Sequence, residues 1–116
     1  MSFEPSPIFA KTYDLLAWLV PQTMQFPKSQ RFVLAKRVQD AALDLHELLI
    51  RAGKSRGGER RRALLEADIR LEQLRLHWRL CVTLELITPN RYEHGARLID
   101  EIGRLLGGWL SSPPTT

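Results

Sequence analysis

With 116 residues, 44% of them apolar and 26% charged, the chain fits one globular domain with a modest core. Its single cysteine, Cys81, excludes an intrachain disulfide and points to an intracellular location. No stretch is long and apolar enough to span a bilayer, and residues 1–10 lack the basic start and apolar run of a targeting segment, so a soluble cytoplasmic protein is expected.

The first predicted helix starts with Ser6 as N-cap and Pro7 at the first helical position, and carries Phe9, Tyr13, Leu16 and Val20 on one stripe. Pro21 is expected to kink or end it. Residues 25–28 read as a connector, with Ser29 capping a second helix over 30–52. There Leu34, Val38, Ala41, Leu45, Leu48 and Ala52 follow in alternating three- and four-residue steps, which is a bundle seam. Alanines at 35, 41 and 42 permit close helix approach.

Gly53, Gly57 and Gly58 break the pattern and predict a flexible basic loop. Around them Arg51, Lys54, Arg56, Arg60, Arg61 and Arg62 place six positive charges in twelve residues, opposed only by Glu59. The whole chain carries +4, with 13 of its 17 basic residues arginine. Arginine's forked donors suit phosphate, so this cluster is the leading nucleic-acid-binding candidate. The competing reading is a solvated loop.

The third predicted helix, over 59–87 and roughly 42 Å long, carries two apolar stripes. Leu64, Ala67, Leu71, Leu74, Trp78 and Cys81 share one face. Leu65, Ile69, Leu76, Leu80 and Ile87 lie about opposite, separated by the polar strips Asp68–Glu72–Arg75–Arg79 and Glu66–Arg70–Gln73–His77. A surface helix of a small monomer needs one apolar face. The second implies an obligate oligomer, with Leu65, Ile69, Leu76 and Leu80 at the interface. Arg75 and Arg79 are candidate phosphate or partner contacts, against the alternative of pairing with Asp68 and Glu72. Arg31 and Arg37 are further candidates.

Thr88-Pro89 supplies a cap and a first helical residue for the fourth helix. Its stripe is Tyr92, Ala96, Ile99, Leu106 and Leu110, with Leu98, Ile102, Leu105 and Trp109 beside it. Gly95 and Gly103 predict tight helix packing, Gly107-Gly108 an end or fraying, and residues 111–116 a disordered tail. The expected architecture is all-α: an up-down antiparallel four-helix bundle forming one domain over 1–110.

Catalytic spacing is absent. Leu43, Leu74 and Arg91 precede His46, His77 and His94 at the offset where a di-iron bundle needs glutamate. No two histidines stand four apart, and Gly53-Lys54-Ser55 lacks the rest of a phosphate-cradling loop. His46 and His77 read as polar-face residues, His94 as helix surface, and Cys81 as a small buried hydrophobe. No enzyme activity, metal, cofactor or small-molecule substrate is expected.

Three segments, Leu15-Leu16-Ala17-Trp18-Leu19-Val20-Pro21, Phe26-Pro27-Lys28-Ser29-Gln30-Arg31-Phe32 and Asp100-Glu101-Ile102-Gly103-Arg104-Leu105-Leu106-Gly107-Gly108-Trp109, occur in that order. Together they resemble the accessory variability determinant (Avd) proteins of diversity-generating retroelements, over about residues 13–109. The wider relatives include four-helix proteins encoded in ribosomal-RNA intervening sequences. The resemblance implies a homopentameric barrel that binds the element's reverse transcriptase, and RNA or DNA through a basic surface. A pentamer would carry five times the +4 of one chain. The Gly- and Arg-rich second connection departs from that pattern in emphasis.

The leading expectation is thus a non-enzymatic accessory subunit that supports mutagenic retrohoming. The alternatives are a protein of the ribosomal-RNA intervening-sequence type and a protein-only oligomeric adaptor. Membrane-surface binding is disfavoured, because the apolar stripes are needed by the bundle and no face combines bulky aromatics with lysines.

Overall fold

The computed structural model describes residues 5–113, without the side chains of Ser6, Gln30, Arg31 and Phe32. Four long helices dominate: α1 (Ser6–Met24), α2 (Lys36–Lys54), α3 (Gly57–Thr83) and α4 (Pro89–Ser111). A helical turn (Lys28–Gln30) and a π-turn (Arg31–Ala35) lead into α2. Each helix packs against its neighbour in sequence, and α4 closes onto α1. The described residues therefore form an antiparallel four-helix bundle with no strand. Its long axis is 48 Å, and α3 at 27 residues runs about 40 Å of it.

Pro21 does not end α1, which continues three residues further. Pro21 and Ala17 both lie on the exposed face, so the carbonyl that lost its donor faces water. At the other end α1 begins at Ser6 with Pro5 in the capping position, so Ser6 is not the N-cap. The buried stripe is offset from the expected one. Ile8, Thr12, Leu15, Leu19 and Thr23 are buried, whereas Tyr13 is 66% exposed. Two threonines hide this stripe from an apolar pattern, yet both are satisfied. The Thr12 hydroxyl lies 3.0 Å from the Ile8 carbonyl and 2.9 Å from His46 Nδ1, and Thr23 donates to Val20 O at 2.8 Å. Donation by Thr12 to the carbonyl leaves His46 Nδ1–H to donate to Thr12, a tie between α1 and α2.

The second helical stretch starts at Lys28, directly after Pro27, so Ser29 lies within the first turn and is no cap. Leu34, Val38, Ala41, Leu45 and Ala52 fill the seam as expected, with Ala35 and Ala42 also buried, but Leu49 takes the buried place expected of Leu48, which is half-buried. The expected glycine-rich loop is absent. Helix α2 runs through Gly53 to Lys54 and α3 starts at Gly57, leaving Ser55-Arg56 as the connection. Gly57 takes φ +55°, the left-handed turn that glycine permits without a Cβ clash.

Leu64, Ala67, Leu71, Leu74, Trp78 and Cys81 are all buried as expected. However, α3 stops at Thr83, not Ile87. Leu86 N donates to Cys81 O at 2.9 Å and Glu85 N to Val82 O at 3.0 Å, with Glu85 at φ 61°. This is a Schellman closure, whose left-handed position is usually glycine. With glutamate there, nothing in the sequence marks the end. Ile87, beyond it, turns back into the core and leaves the second stripe. Thr88 caps α4, its hydroxyl accepting from Arg91 N at 3.3 Å. Gly107-Gly108 does not end α4, which reaches Ser111; of the expected 111–116 tail, residues 114–116 lie outside the described ones.

Candidate nucleic-acid interface and assembly face

The close of α2, the start of α3 and the end of α4 meet at one end of the bundle, with the start of α1. Phe9 packs edge-on to Trp109 at 6.0 Å and faces Gly53. The six basic residues of 51–62 therefore sit on helix ends, not on a mobile loop. Arg51 and Lys54 lie in the last turn of α2, where the helix dipole favours cations. Arg56 takes the N-cap position of α3, with no side-chain cap, and Arg60, Arg61 and Arg62 follow in its first two turns. There the dipole disfavours them, and Glu59 is the one acidic residue of the first turn.

These residues divide by what they touch. Arg60 is partly buried; its Nε donates to Ala52 O at 2.9 Å and its guanidinium lies 5.9 Å from the Trp109 ring centroid. It thus closes α2, packs on α4 and serves the fold. Arg61 makes one long contact, 3.5 Å to Leu110 O. Arg51, Lys54, Arg56 and Arg62 are exposed, and their side chains make no hydrogen bond or ion pair to any described residue.

Arg75 bridges helices: its Nη1 is 3.1 Å from Asp100 on α4 and its Nε 3.7 Å from Glu72. A Cβ at Gly103 would meet this guanidinium, the movable end of a long side chain, and would lie 3.3 Å from Leu71 Cδ2. Arg79 is exposed, and its side chain has no ion pair among the described residues. Arg75, Leu76, Arg79, Tyr92, Ala96 and Asp100 help line a groove of 380 Å³ between α3 and α4. Arg37 is exposed and close enough to His77 to add to the burial that lowers its pKa. The side chain of Arg31 lies outside the described ones. The structure thus gathers the 51–62 cluster at one end, places Arg75 and Arg79 on the flank toward α4, and puts Arg37 at the start of α2.

Leu65, Ile69, Leu76 and Leu80 are 45%, 56%, 65% and 41% exposed. These large aliphatic side chains form a row along one helix that the single chain leaves in water. Two more, Leu43 and Ile50, at 45% and 43%, lie on the outer side of α2. Their seven-residue spacing sets them off the predicted seam, on which neither lies. His46 ties α1 to α2, exposed His94 packs against Trp18 at 4.7 Å, and burial pushes the Cys81 thiol up to about 12. Among the described residues no helix is long and apolar enough to cross a membrane, and no three His, Cys, Asp or Glu side chains cluster to hold a metal.

A family model described as bAvd-like matches residues 8–113. No curated protein matches. Among solved structures, a protein of unknown function from the S23 ribosomal protein family of Bacteroides thetaiotaomicron VPI-5482 superposes with a TM-score of 0.86 at 17% identity. The alignment covers 93% of this chain and 98% of that one. At that identity the likeness shows the four-helix fold alone.

Proposed function

The chain belongs to the bAvd-like family, and from that premise we propose that it is a non-enzymatic accessory subunit of a diversity-generating retroelement. It binds template RNA or cDNA through the basic end of the bundle and engages the element's reverse transcriptase, supporting mutagenic copying and homing. Copies assemble through Leu65, Ile69, Leu76 and Leu80 on α3, a ring of five in the family's pattern, which multiplies the basic end.

One observation carries the nucleic-acid reading. Arginines 56, 60, 61 and 62 crowd the end of α3 where the dipole is already positive. Arg56 and Arg62 have no partner among the described residues to offset that cost. A polyanion would relieve the repulsion, and phosphate is the anion that arginine forks fit.

The test is the salt dependence of RNA and DNA oligonucleotide binding, by fluorescence anisotropy, for the wild type and for Arg56→Glu/Arg62→Glu. Both side chains are exposed, so the variant keeps its fold. Wild-type affinity should fall steeply with salt, with a shallower slope in the variant. Affinity that stays flat from low to high salt refutes phosphate binding. The row of exposed leucines favours a second reading, a protein-only adaptor. Reverse-transcriptase capture that survives nuclease treatment, with RNA binding unchanged by the charge reversal, selects it.

A further inference from the structure

The groove of 380 Å³ between α3 and α4 falls at the lower end of the size range of ligand sites. Glu72, Arg75 and Arg79 follow one another along one side of α3, and all three line it. The Glu72 side chain is 71% exposed, and its partner, Arg75 Nε, is 3.7 Å away, beyond hydrogen-bond reach. Its carboxylate therefore makes no hydrogen bond among the described residues. Arg79, seven residues on, is exposed and without an ion pair among the same residues. The two stand about 10.5 Å apart along the helix, close to the reach of one nucleotide from base edge to phosphate. Between them Arg75 is fixed by Asp100 of α4 at 3.1 Å. Across the groove Tyr92 is backed by Trp78 at 6.4 Å. Guanidinium planes and aromatic rings are the platforms on which unpaired bases stack.

The ligand has to bring hydrogen-bond donors to one end of the groove and negative charge to the other. An acidic peptide meets repulsion from Glu72 and Asp100, and a basic one from Arg75 and Arg79. A nucleotide carries donors on its base edge and a negative phosphate. Guanine alone among the four bases sets two donors, N1–H and the 2-amino group, side by side, where one carboxylate accepts both. We propose that this groove holds one unpaired guanine of the bound strand, its Watson–Crick edge on Glu72, its ring against Arg75 and Tyr92, and its phosphate on Arg79. This rests on the nucleic-acid reading above and adds a base preference, located away from the basic end of the bundle.

Fluorescence anisotropy with the full chain tests it, using short labelled oligouridylates that each carry one central guanine, adenine, cytosine or uracil. A matching DNA set runs in parallel, and a preference in either set supports the site and tells which strand supplies the base. The guanine strand should bind roughly tenfold more tightly than the other three. Inosine, which lacks the 2-amino group, should fall between them. Glu72→Ala, a good helix former at an exposed position, should erase the preference. Arg56→Glu/Arg62→Glu should weaken all strands by one factor and keep it. Four strands that bind alike, with steep salt dependence, overturn the groove site and leave phosphate binding at the basic end standing. A guanine preference that survives Glu72→Ala also overturns it, because the base is then read elsewhere. No binding of any strand at low salt refutes the nucleic-acid reading itself, and this site with it.

Discussion

Gly95 of α4 lies under the indole of Trp78, and replacing it with alanine sets two effects against each other. A Cβ there would sit 2.6 Å from Nε1, 2.7 Å from Cε2 and 2.8 Å from Cζ2. The indole has no room to retreat. It is buried, edge-on to Trp18 at 5.8 Å, stacked with Tyr92 at 6.4 Å, and its Nε1 donates to Tyr92 O at 3.0 Å. Alanine in a helix interior returns about 1 kcal/mol over glycine. Overpacking costs about 1–3 kcal/mol, and breaking the indole hydrogen bond inside the core costs about 1–3 kcal/mol more. The losses win, and Gly95→Ala is expected to destabilise the fold by about 3 kcal/mol. Gly107 is also helical, but a Cβ there meets nothing within 4 Å, so Gly107→Ala should stabilise by about 0.5–1 kcal/mol. Urea unfolding followed by tryptophan fluorescence, at one protein concentration because assembly shifts the midpoint, gives both signs. A Gly95→Ala protein that unfolds at or above the wild-type midpoint refutes the packing argument.

Glu85 holds a left-handed φ of 61°, so Glu85→Gly should stabilise by about 1 kcal/mol in the same assay, and a loss would show that the glutamate side chain contributes more than its strain costs. Cys81 is buried and its thiol is pushed up to about 12; Ellman's reagent at neutral pH should label it only as fast as the protein opens, and immediate labelling of the native state contradicts its placement. Burial, then Arg37, hold His77 below its ordinary pKa of 6.5. The unfolded chain therefore binds its proton first, so stability falls as pH drops below about 6.5 and is restored above it. His77→Gln should flatten that part of the stability–pH curve, and an unchanged slope assigns it to other groups.

The third helix was the most legible part of the chain because its core face is purely apolar and its outer face conspicuously so. All six expected core residues are buried, and four of the five expected outer residues are exposed. The fifth, Ile87, was misplaced because a glutamate occupies the closing turn where glycine would have signalled the end. Helix α1 was read one residue out of phase because threonines 12 and 23 occupy core positions with their hydroxyls bound to local carbonyls, which an apolar count scores as polar. The connection after α2 was read as a loop because glycine is the strongest breaker in any pattern. Yet Gly53 is tolerated inside α2, a Cβ there lying 3.2 Å from the Phe9 ring. Among the basic residues, composition marked the cluster but could not separate Arg60, held by Ala52 and Trp109, from Arg56 and Arg62. That division depends on which helix ends meet in space.

Where the chain departs from what a lone bundle needs, it does so mainly on one helix. Helix α4 has a hydroxyl cap, and α2 ends with cations that suit its dipole. Helix α3 instead begins among arginines, against its dipole, and presents four leucine and isoleucine side chains to water along its outer side, twice the number on α2. Neither feature helps the isolated fold: the first adds repulsion, and the second leaves apolar area wet. The buried face from Leu64 to Cys81 is sufficient to hold α3 in place regardless. The helix is therefore free to carry a cationic end and an apolar flank, which under the proposed function phosphate and another protein surface would make favourable. Because these two features lie at the end and along the side of the same rod, a polyanion at one need not displace a protein contact at the other.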